Sequence, residues 1–460
     1  MDGAELIFAV AGFVMHEAML FAACGFLLLG AGDILVDFIW IGRTAKRALM
    51  RGGSAAADTL PVPERPGLLA VFVPAWDEAK VIGGMLRATL DRFDHPDYRV
   101  YVGTYPNDPA TIAAVEAIQD ERVRLVIGPV PGPTTKADCL NRLWDALIAD
   151  ERAEGRTAKA IVLHDAEDVV HPAELRVFDR LIESFDLVQL PVLPIVDRGT
   201  TTVSASYADE FAESHDKELV VREAIGAGIP SAGVGCAFSR EALAEVAARS
   251  GGRPFAADSL TEDYELGLKL HALGRRGAFV RLPATGGGRV VATKEYFPGT
   301  IEAAVNQKSR WIVGIALSGW DRLGWSGGPA ECWMRLRDRQ SLLAAVLLFT
   351  AYLTLLLWML LEARLTLTGV PQPPIPEQLA LLMQINLALL VWRLAMRFGF
   401  VTQAYGWRQG LASIPRVIVA NLIAMLAARK AVSRYLRIRR TGAMQWDKTT
   451  HAFPAELPAE

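Results

Sequence analysis

The chain has 460 residues, 52% of them hydrophobic, and a formal net charge of −3. A near-neutral balance suggests no nucleic-acid partner, and the apolar excess (mean hydropathy +0.24) exceeds what a soluble enzyme needs and points to membrane segments. The four cysteines (Cys24, Cys139, Cys236, Cys332) are scattered and the seven histidines unclustered, so neither set has zinc spacing, and reduced thiols fit a catalytic part that faces the cytosol.

Residues 1–51 read as a transmembrane helix with a basic flank. The apolar run from Ala18 to Ile41 is longer than the ~20 residues a bilayer core requires. No Lys or Arg precedes it, whereas Arg43, Lys46, Arg47 and Arg51 follow. That asymmetry argues against a cleaved leader and puts the N-terminus outside and the rest inside. Asp33 and Asp37 are four residues apart, hence on one helix face, and should meet protein or the interface rather than lipid.

Residues 52–66 are small and Pro-rich, a linker. From 67 to 325 strand-type runs (Leu68–Pro74, Arg99–Thr104, Arg124–Ile127, Ala160–His164, Asp186–Pro191) alternate with helical stretches (Glu78–Asp91, Thr111–Asp120, Ala137–Ala153). This alternation predicts an α/β domain with a doubly wound, mostly parallel sheet, whose ligands bind at the carboxyl ends of strands. Over 326–440, Ser341–Leu361 and Leu379–Met396 are each long enough to span. The third apolar run, Val417–Ala428, has only twelve residues between Arg416 and Arg429 and suits an interfacial amphipathic helix. Three spans also keep the basic stretch Arg429–Arg440 and the tail 441–460 in the cytosol.

Several short motifs lie just beyond strands. Asp77 and Glu78 suit contacts to a nucleotide's base or ribose, but capping of the next helix is favoured roughly two to one. Asp108 fits a base contact or an ordinary Asn-Asp-Pro turn. Lys136 opens a helix against the dipole's preference, which suits an anion such as a diphosphate as well as a surface lysine. In Asp165-Ala-Glu-Asp168, oxygen ligands two apart suit a hard divalent cation holding phosphate oxygens; a solvated acidic turn is the alternative. Thr261 reads as an N-cap followed by Glu262, Asp263 and Glu265 in the first turn. Gln307-Lys-Ser-Arg-Trp311 fits either a site or an interfacial helix with Trp and Arg anchors. Chance rarely supplies an acid pair, a Thr-Glu-Asp and a QxxRW in that order.

The ordered set PAWDE (74–78), KADCLN (136–141), DAED (165–168), TED (261–263) and QKSRW (307–311) resembles the family 2 glycosyltransferases and their GT-A fold. With flanking membrane helices it resembles the processive branch that includes cellulose, hyaluronan and poly-N-acetylglucosamine synthases. The runs YPNDPAT, VATKEYFPG, YGWRQG and QWDKTTHAFP extend the likeness over about 65 to 455 and resemble a bacterial inner-membrane branch. The resemblance implies a multi-pass inner-membrane enzyme that uses a UDP-sugar. Asp77, Glu78, Asp108, Lys136, Asp138 and Asp165 would bind that donor, and Asp165 and Glu167 would hold Mg2+ or Mn2+. Asp263, beside Glu262, would be the catalytic base of an inverting displacement, with Gln307, Arg310 and Trp311 positioning donor and acceptor. The implied acceptor is a growing exopolysaccharide, with membrane lipids and an outer-membrane export partner as further partners. Single addition to a lipid or protein is the nearest alternative, and a non-catalytic receptor or scaffold the distant one. Two departures stand out: Thr104 and Tyr105 replace the family's usual Asp pair, and the second acid of the metal motif is Glu167.

Overall fold

The computed structural model describes residues 3–50, 56–286, 288–369, 374–442, 451–454 and 456–457. In the run LAVFVP, all six positions of β1 (Leu69–Pro74) are buried, as a strand covered on both faces requires. Alternation sorts its side chains. Leu69, Val71 and Val73 enter one core, whereas Ala70 and Phe72 enter another on the opposite face. Parallel to β1 run β2 (Tyr98–Thr104) and β4 (Ala160–Leu163), with β3 (Val123–Ile127) outside β2. Beyond β4 follow β5 (Leu187–Gln189), β6 (Val192–Pro194), β7 (Cys236–Ser239), β8 (Gly277–Phe279) and β9 (Thr293–Glu295). The seven-stranded sheet has the order β3-β2-β1-β4-β7-β5-β8, and β6 and β9 form a small parallel sheet of their own.

The doubly wound, mostly parallel sheet is as expected, with one antiparallel insertion. β7 runs against both β4 and β5. It and the three-residue β8 and β9 are too short to show a period in sequence.

Fifteen helices are described. The long N-terminal α1 (Gly3–Leu49) is followed by α2 (Ile82–Arg92), α3 (Pro109–Glu116), α4 (Lys136–Glu154) and α5 (Glu174–Leu181). α2 and α5 cover the Val71 face of the sheet; α4 covers the Phe72 face together with α8 (Arg240–Arg249) and α9 (Glu262–Ala272). α6 (Thr202–Glu213) passes through a π-helical turn, Ser214–Glu218, into α7 (Leu219–Ala224). α10 (Ile301–Ile312) does the same through Val313–Ser318 into α11 (Gly319–Leu323). Then come α12 (Pro329–Arg339), α13 (Ser341–Thr368), α14 (Glu377–Tyr405) and α15 (Trp407–Thr441).

Four of these, α1, α13, α14 and α15, are long and apolar enough to cross a membrane. Asp33 and Asp37 of α1 do face protein. Asp33 pairs with Arg337 at 3.0 Å and with Arg393, while Asp37 meets Lys217 Nζ and Trp392 Nε1, each at 2.7 Å. The twelve-residue run 417–428 lies inside the unbroken 35-residue α15, so by length and composition alone this helix also qualifies as a span. Its polar contacts run the other way. Arg416 makes a two-point pair with Asp209 of α6 at 2.8 and 2.5 Å, Lys430 meets Asn306 of α10, and Tyr435 donates to Asp321 of α11 at 2.5 Å.

Candidate active site

The DAED turn is set by a buried histidine that the sequence did not single out. His164, the residue after β4, lies 2.7 Å from Asp168 Oδ2 and 2.6 Å from Glu174 Oε1. Burial opposes its charge, yet Glu174 and Asp168 together hold it up at about 10, so it is an imidazolium at neutral pH. Asp168 also accepts the Asp165 amide at 3.1 Å. Asp168 Oδ2 thus holds the turn, while Asp165 is half-buried beside Lys136 and Glu167 is buried.

Asp165 meets Lys136 Nζ at 2.5 Å. Lys136 stands in the first turn of α4, capped by Thr135, whose hydroxyl accepts the Asp138 amide at 3.1 Å. Burial works against its charge, but Asp165, Glu262 and Asp263 outweigh that and hold the ammonium above its usual range. One lysine therefore feels the metal-type motif and the TED together, which requires both at one end of the sheet. Asp138 itself pairs with Arg142 at 2.5 Å.

The TED opens α9. Thr261 occupies the N-cap position, but its hydroxyl makes no cap, contrary to the sequence expectation. The hydroxyl sits against Gly314 in the second π-turn, where any Cβ would collide with it. Asp263 Oδ1 accepts its neighbour's amide, Tyr264 N–H, at 2.8 Å. Gly233 (φ +77) abuts the other oxygen so closely that a Cβ there would strike it. Burial, then the Asp263 charge, pushes Glu262 up to about 7. Burial raises Asp263 as well, but Lys136 and the Tyr264 amide pull it back.

A cavity of about 410 Å3 joins these groups. Lys136, Asp165, Glu262 and Asp263 line one part, and Gln307, Arg310 and Trp311 of α10 line another. Trp311 is edge-on to Tyr207 at 6.1 Å beside the Phe211–Phe297 pair. The buried Gln307 Oε1 has no hydrogen-bond partner among the described residues. Both π-turns contribute to the wall, and the cavity reaches Val36 of α1. π-turns often mark functional sites because they re-aim side chains without breaking the helix.

The first two motifs meet each other beyond β1 and β2. Asp108 accepts the Asp77 amide at 2.6 Å and the Thr111 amide at 3.2 Å as the N-cap of α3. Asp108 thus caps α3, whereas α2 has Val81 at its N-cap and no side-chain cap. Asp77 is exposed, and the Glu78 amide donates to Thr111 Oγ1 at 2.9 Å. Thr104 and Tyr105 are both buried, with Tyr105 edge-on to Trp76 at 5.2 Å and hydrogen-bonded to Thr134 at 2.8 Å. Asn107 locks the adjoining loop through both polar groups of Gly132. Gly132 lies so close to Tyr105 and Trp76 that a Cβ would not fit.

Three site residues were missed: His164, Glu295 and His451. Glu295 at the end of β9 lines the cavity. Burial, reinforced by Asp168 and Asp165, holds its carboxyl well above the ordinary range. His451 arrives from beyond α15 and meets Glu78 and Glu167. The two lay inside runs already noted, VATKEYFPG and QWDKTTHAFP, but nothing in their spacing aims them at DAED. Residues 445–450 of the second run lie outside the described residues.

A mostly parallel sheet of this order, with acids gathered at its carboxyl ends, defines a GT-A-type nucleotide-sugar transferase domain. Residues 66–314 match the family model described as Glycosyltransferase like family 2, and the chain belongs to that family. It is 37% identical over 456 residues to the bacteriophage adsorption protein B of Escherichia coli K12, covering 93% of this chain and 60% of the relative. The same figures hold for the bacteriophage N4 adsorption protein B of Escherichia coli O157:H7. The chain therefore spans about 60% of the length of these curated relatives. In fold it is similar to the mannosyltransferase PcManGT from Pyrobaculum calidifontis, solved with GDP-Man and Mn2+. The TM-score is 0.51 at 19% identity, over 89% of this chain and 99% of that one.

Proposed function

We propose that the protein is an inverting membrane glycosyltransferase that moves a sugar from a UDP-linked donor to a growing exopolysaccharide, with its α/β domain on the cytosolic side of a bacterial inner membrane. The observation that carries this reading is the continuous cavity. Donor-type groups (Lys136, Asp165), a carboxylate base (Asp263) and an aromatic and amide lining (Trp311, Gln307) share one wall, which runs on to the membrane helix α1. An acceptor that left along α1 would start at the base and end at the membrane, and a soluble acceptor needs no such route.

In the reaction the acceptor hydroxyl oxygen attacks the anomeric carbon while Asp263 takes its proton. The new C–O bond forms as the bond from that carbon to the diphosphate breaks, and UDP leaves with the electron pair. A single displacement inverts the centre. Burial raises both carboxyls of the Glu262–Asp263 pair, Glu262 to about 7, and Lys136 pulls Asp263 back towards the ionised form that a base requires. Lys136 and Arg310 place positive charge where the leaving group becomes more negative. The site suits a divalent ion as well: Glu167 Oε2 is buried with no partner among the described residues, and Asp165, Glu295, Asp168 and Glu78 crowd its carboxylate. Asp165 and Glu167 would hold Mg2+ or Mn2+, which supplies charge neutralisation at the diphosphate when bound.

α15 we read as lying along the cytosolic face. Arg416 and Tyr435, roughly 28 Å apart along a helix at ~1.5 Å per residue, are both bonded to the α/β domain, which a crossing helix could not manage. A cysteine at position 440, with Cys24 and Cys332 replaced by Ser, should resist an impermeant label in intact spheroplasts. Labelling there would mean a fourth crossing.

The test of function is a donor screen in isolated membranes with Mn2+, followed by mass analysis of the product. Release of UDP with a ladder of sugar additions supports the proposal. A single addition product favours a lipid or protein acceptor, and no nucleotide release from any donor contradicts it.

A further inference from the structure

The proposed base Asp263 stands in the first turn of α9, whose N-cap residue makes no side-chain cap. What holds the carboxylate instead are two segments, one on each side, and both lead to α12. On the first side, Oδ1 accepts the Tyr264 amide at 2.8 Å. The phenol of the same buried Tyr264 donates to Asp338 Oδ2 at 2.6 Å. Burial and the Asp338 charge hold that phenol above its usual range, so it remains a donor. Asp338 is fixed in turn by Arg222 Nη1, which lies 2.8 and 2.9 Å from its two oxygens. Arg222 Nε donates to the Gly228 carbonyl at 2.5 Å.

On the second side, Gly233 abuts Asp263 Oδ2. Gly233 closes the run 228–233, and the Gly228 amide that opens this run donates to Glu331 Oε2 at 2.7 Å. The run also lies on α9 at Gly267, where a Cβ would strike the Ile229 carbonyl and the Ser231 amide. Glu331 is held by Arg335 at 2.7 Å, and both side chains are buried. Glu331 and Asp338 are two helical turns apart, hence on one face of α12.

The residue beside Asp338 reaches the other way. Arg337 pairs with Asp33 of α1 at 3.0 Å and with Glu218 at 3.2 Å. Only Gln340 separates α12 from the long apolar helix α13. One short helix thus fastens α1, leads into α13 and grips the turn that carries Asp263.

We propose that Asp338 is a positioning residue for the base: through the Tyr264 phenol it sets how the Asp263 carboxylate faces the cavity, while Glu331 holds the opposite wall. The inference rests on Asp263 being the base of the proposed reaction. It adds a residue from outside the segment 66–314 that matches the family. It also makes the aim of the base depend on how α12 is seated between α1 and α13. Aim matters because a misplacement of about 1 Å can cost roughly 10²-fold in rate.

The test uses the full chain in detergent with Mn2+ and the UDP-sugar that the donor screen selects, read as UDP release against donor concentration. Tyr264→Phe removes only the phenol hydroxyl and leaves the Arg222–Asp338 pair in place. It should lower kcat roughly tenfold or more, with the donor KM unchanged and the thermal midpoint moved by only a few degrees. Asp338→Asn keeps an oxygen that accepts from the phenol and should retain most of kcat. A wild-type kcat in Tyr264→Phe would overturn the inference. A loss accompanied by a raised donor KM or a large fall in midpoint would overturn it as well, since the contact would then only prop the fold. So would an Asp338→Asn variant as slow as Tyr264→Phe, because the charge and not the accepted bond would matter. Each of these leaves the proposed reaction standing. Absence of UDP release by the wild type from every donor would instead remove the base and the inference together.

Discussion

Two buried clusters of charge are built on different arithmetic. Around α1 and α6, each of the acids named here meets a cation. Asp33 has Arg337 and Arg393, Asp37 has Lys217, Glu213 has Lys217 and Arg397, and Asp209 has Arg416. At the ends of β1, β4 and β9 the acids are in excess: Glu78, Asp165, Glu167, Asp168, Glu262, Asp263 and Glu295 crowd around Lys136, His164 and His451. A buried charge is tolerated when paired and expensive when not. The balanced cluster therefore fastens the α/β domain to the long apolar helices, and the proposed function gives the unbalanced one a positive charge that arrives with a ligand.

The largest effect should come from the unbalanced end. Asp263→Asn removes the proton acceptor and should lower transfer by ~10²–10⁴, with UDP-sugar affinity retained in a binding titration. Turnover near that of the wild type would place the base elsewhere. At the balanced end, Lys217→Met removes the ammonium that lies 2.7 Å from both Asp37 and Glu213, leaving Glu213 its 3.5 Å contact with Arg397 and Asp37 its hydrogen bond from Trp392. Breaking such a pair costs about 3–5 kcal/mol, so the thermal midpoint in detergent should drop clearly. Adding Asp37→Leu should recover part of it. If the single variant is as stable as the wild type, the cluster is not a fastener.

A smaller effect follows from Glu262. Its folded pKa of about 7 lies above the ordinary carboxyl value of 4.5. The native state thus binds this proton more tightly than the unfolded chain, and its contribution is full below pH 4.5 and lost as pH rises to about 7. Between those limits Glu262→Gln should gain on the wild type, by up to about 3 kcal/mol. Parallel stability curves would contradict the burial argument.

The sheet and much of the site were legible in the sequence, for a physical reason. Buried parallel strands such as LAVFVP are continuous apolar runs, and strand ends are where such sheets place ligands, so DAED and TED could be read as neighbours. What was not legible depends on contacts between distant segments. β7 is four residues long and takes its direction from β4 and β5. Asp108 read as a base contact or a turn residue, and that its oxygens accept the amides of both Asp77 and Thr111 depends on a loop 31 residues away. His164 is a histidine between two acids only once Glu174 is brought beneath it. His451 reaches Glu78 across 373 residues of chain, which no local spacing could encode.

The central claim is that the acid-rich end is a cation-dependent donor site, and one titration addresses it most directly. Binding of UDP-sugar to the full chain should be measured in Mn2+ and again in excess chelator, for the wild type and for Asp165→Asn. The account predicts tight binding only for the wild type with Mn2+, and a loss of roughly tenfold or more when either the ion or the Asp165 carboxylate is removed. Equal affinity in Mn2+ and in chelator would contradict it.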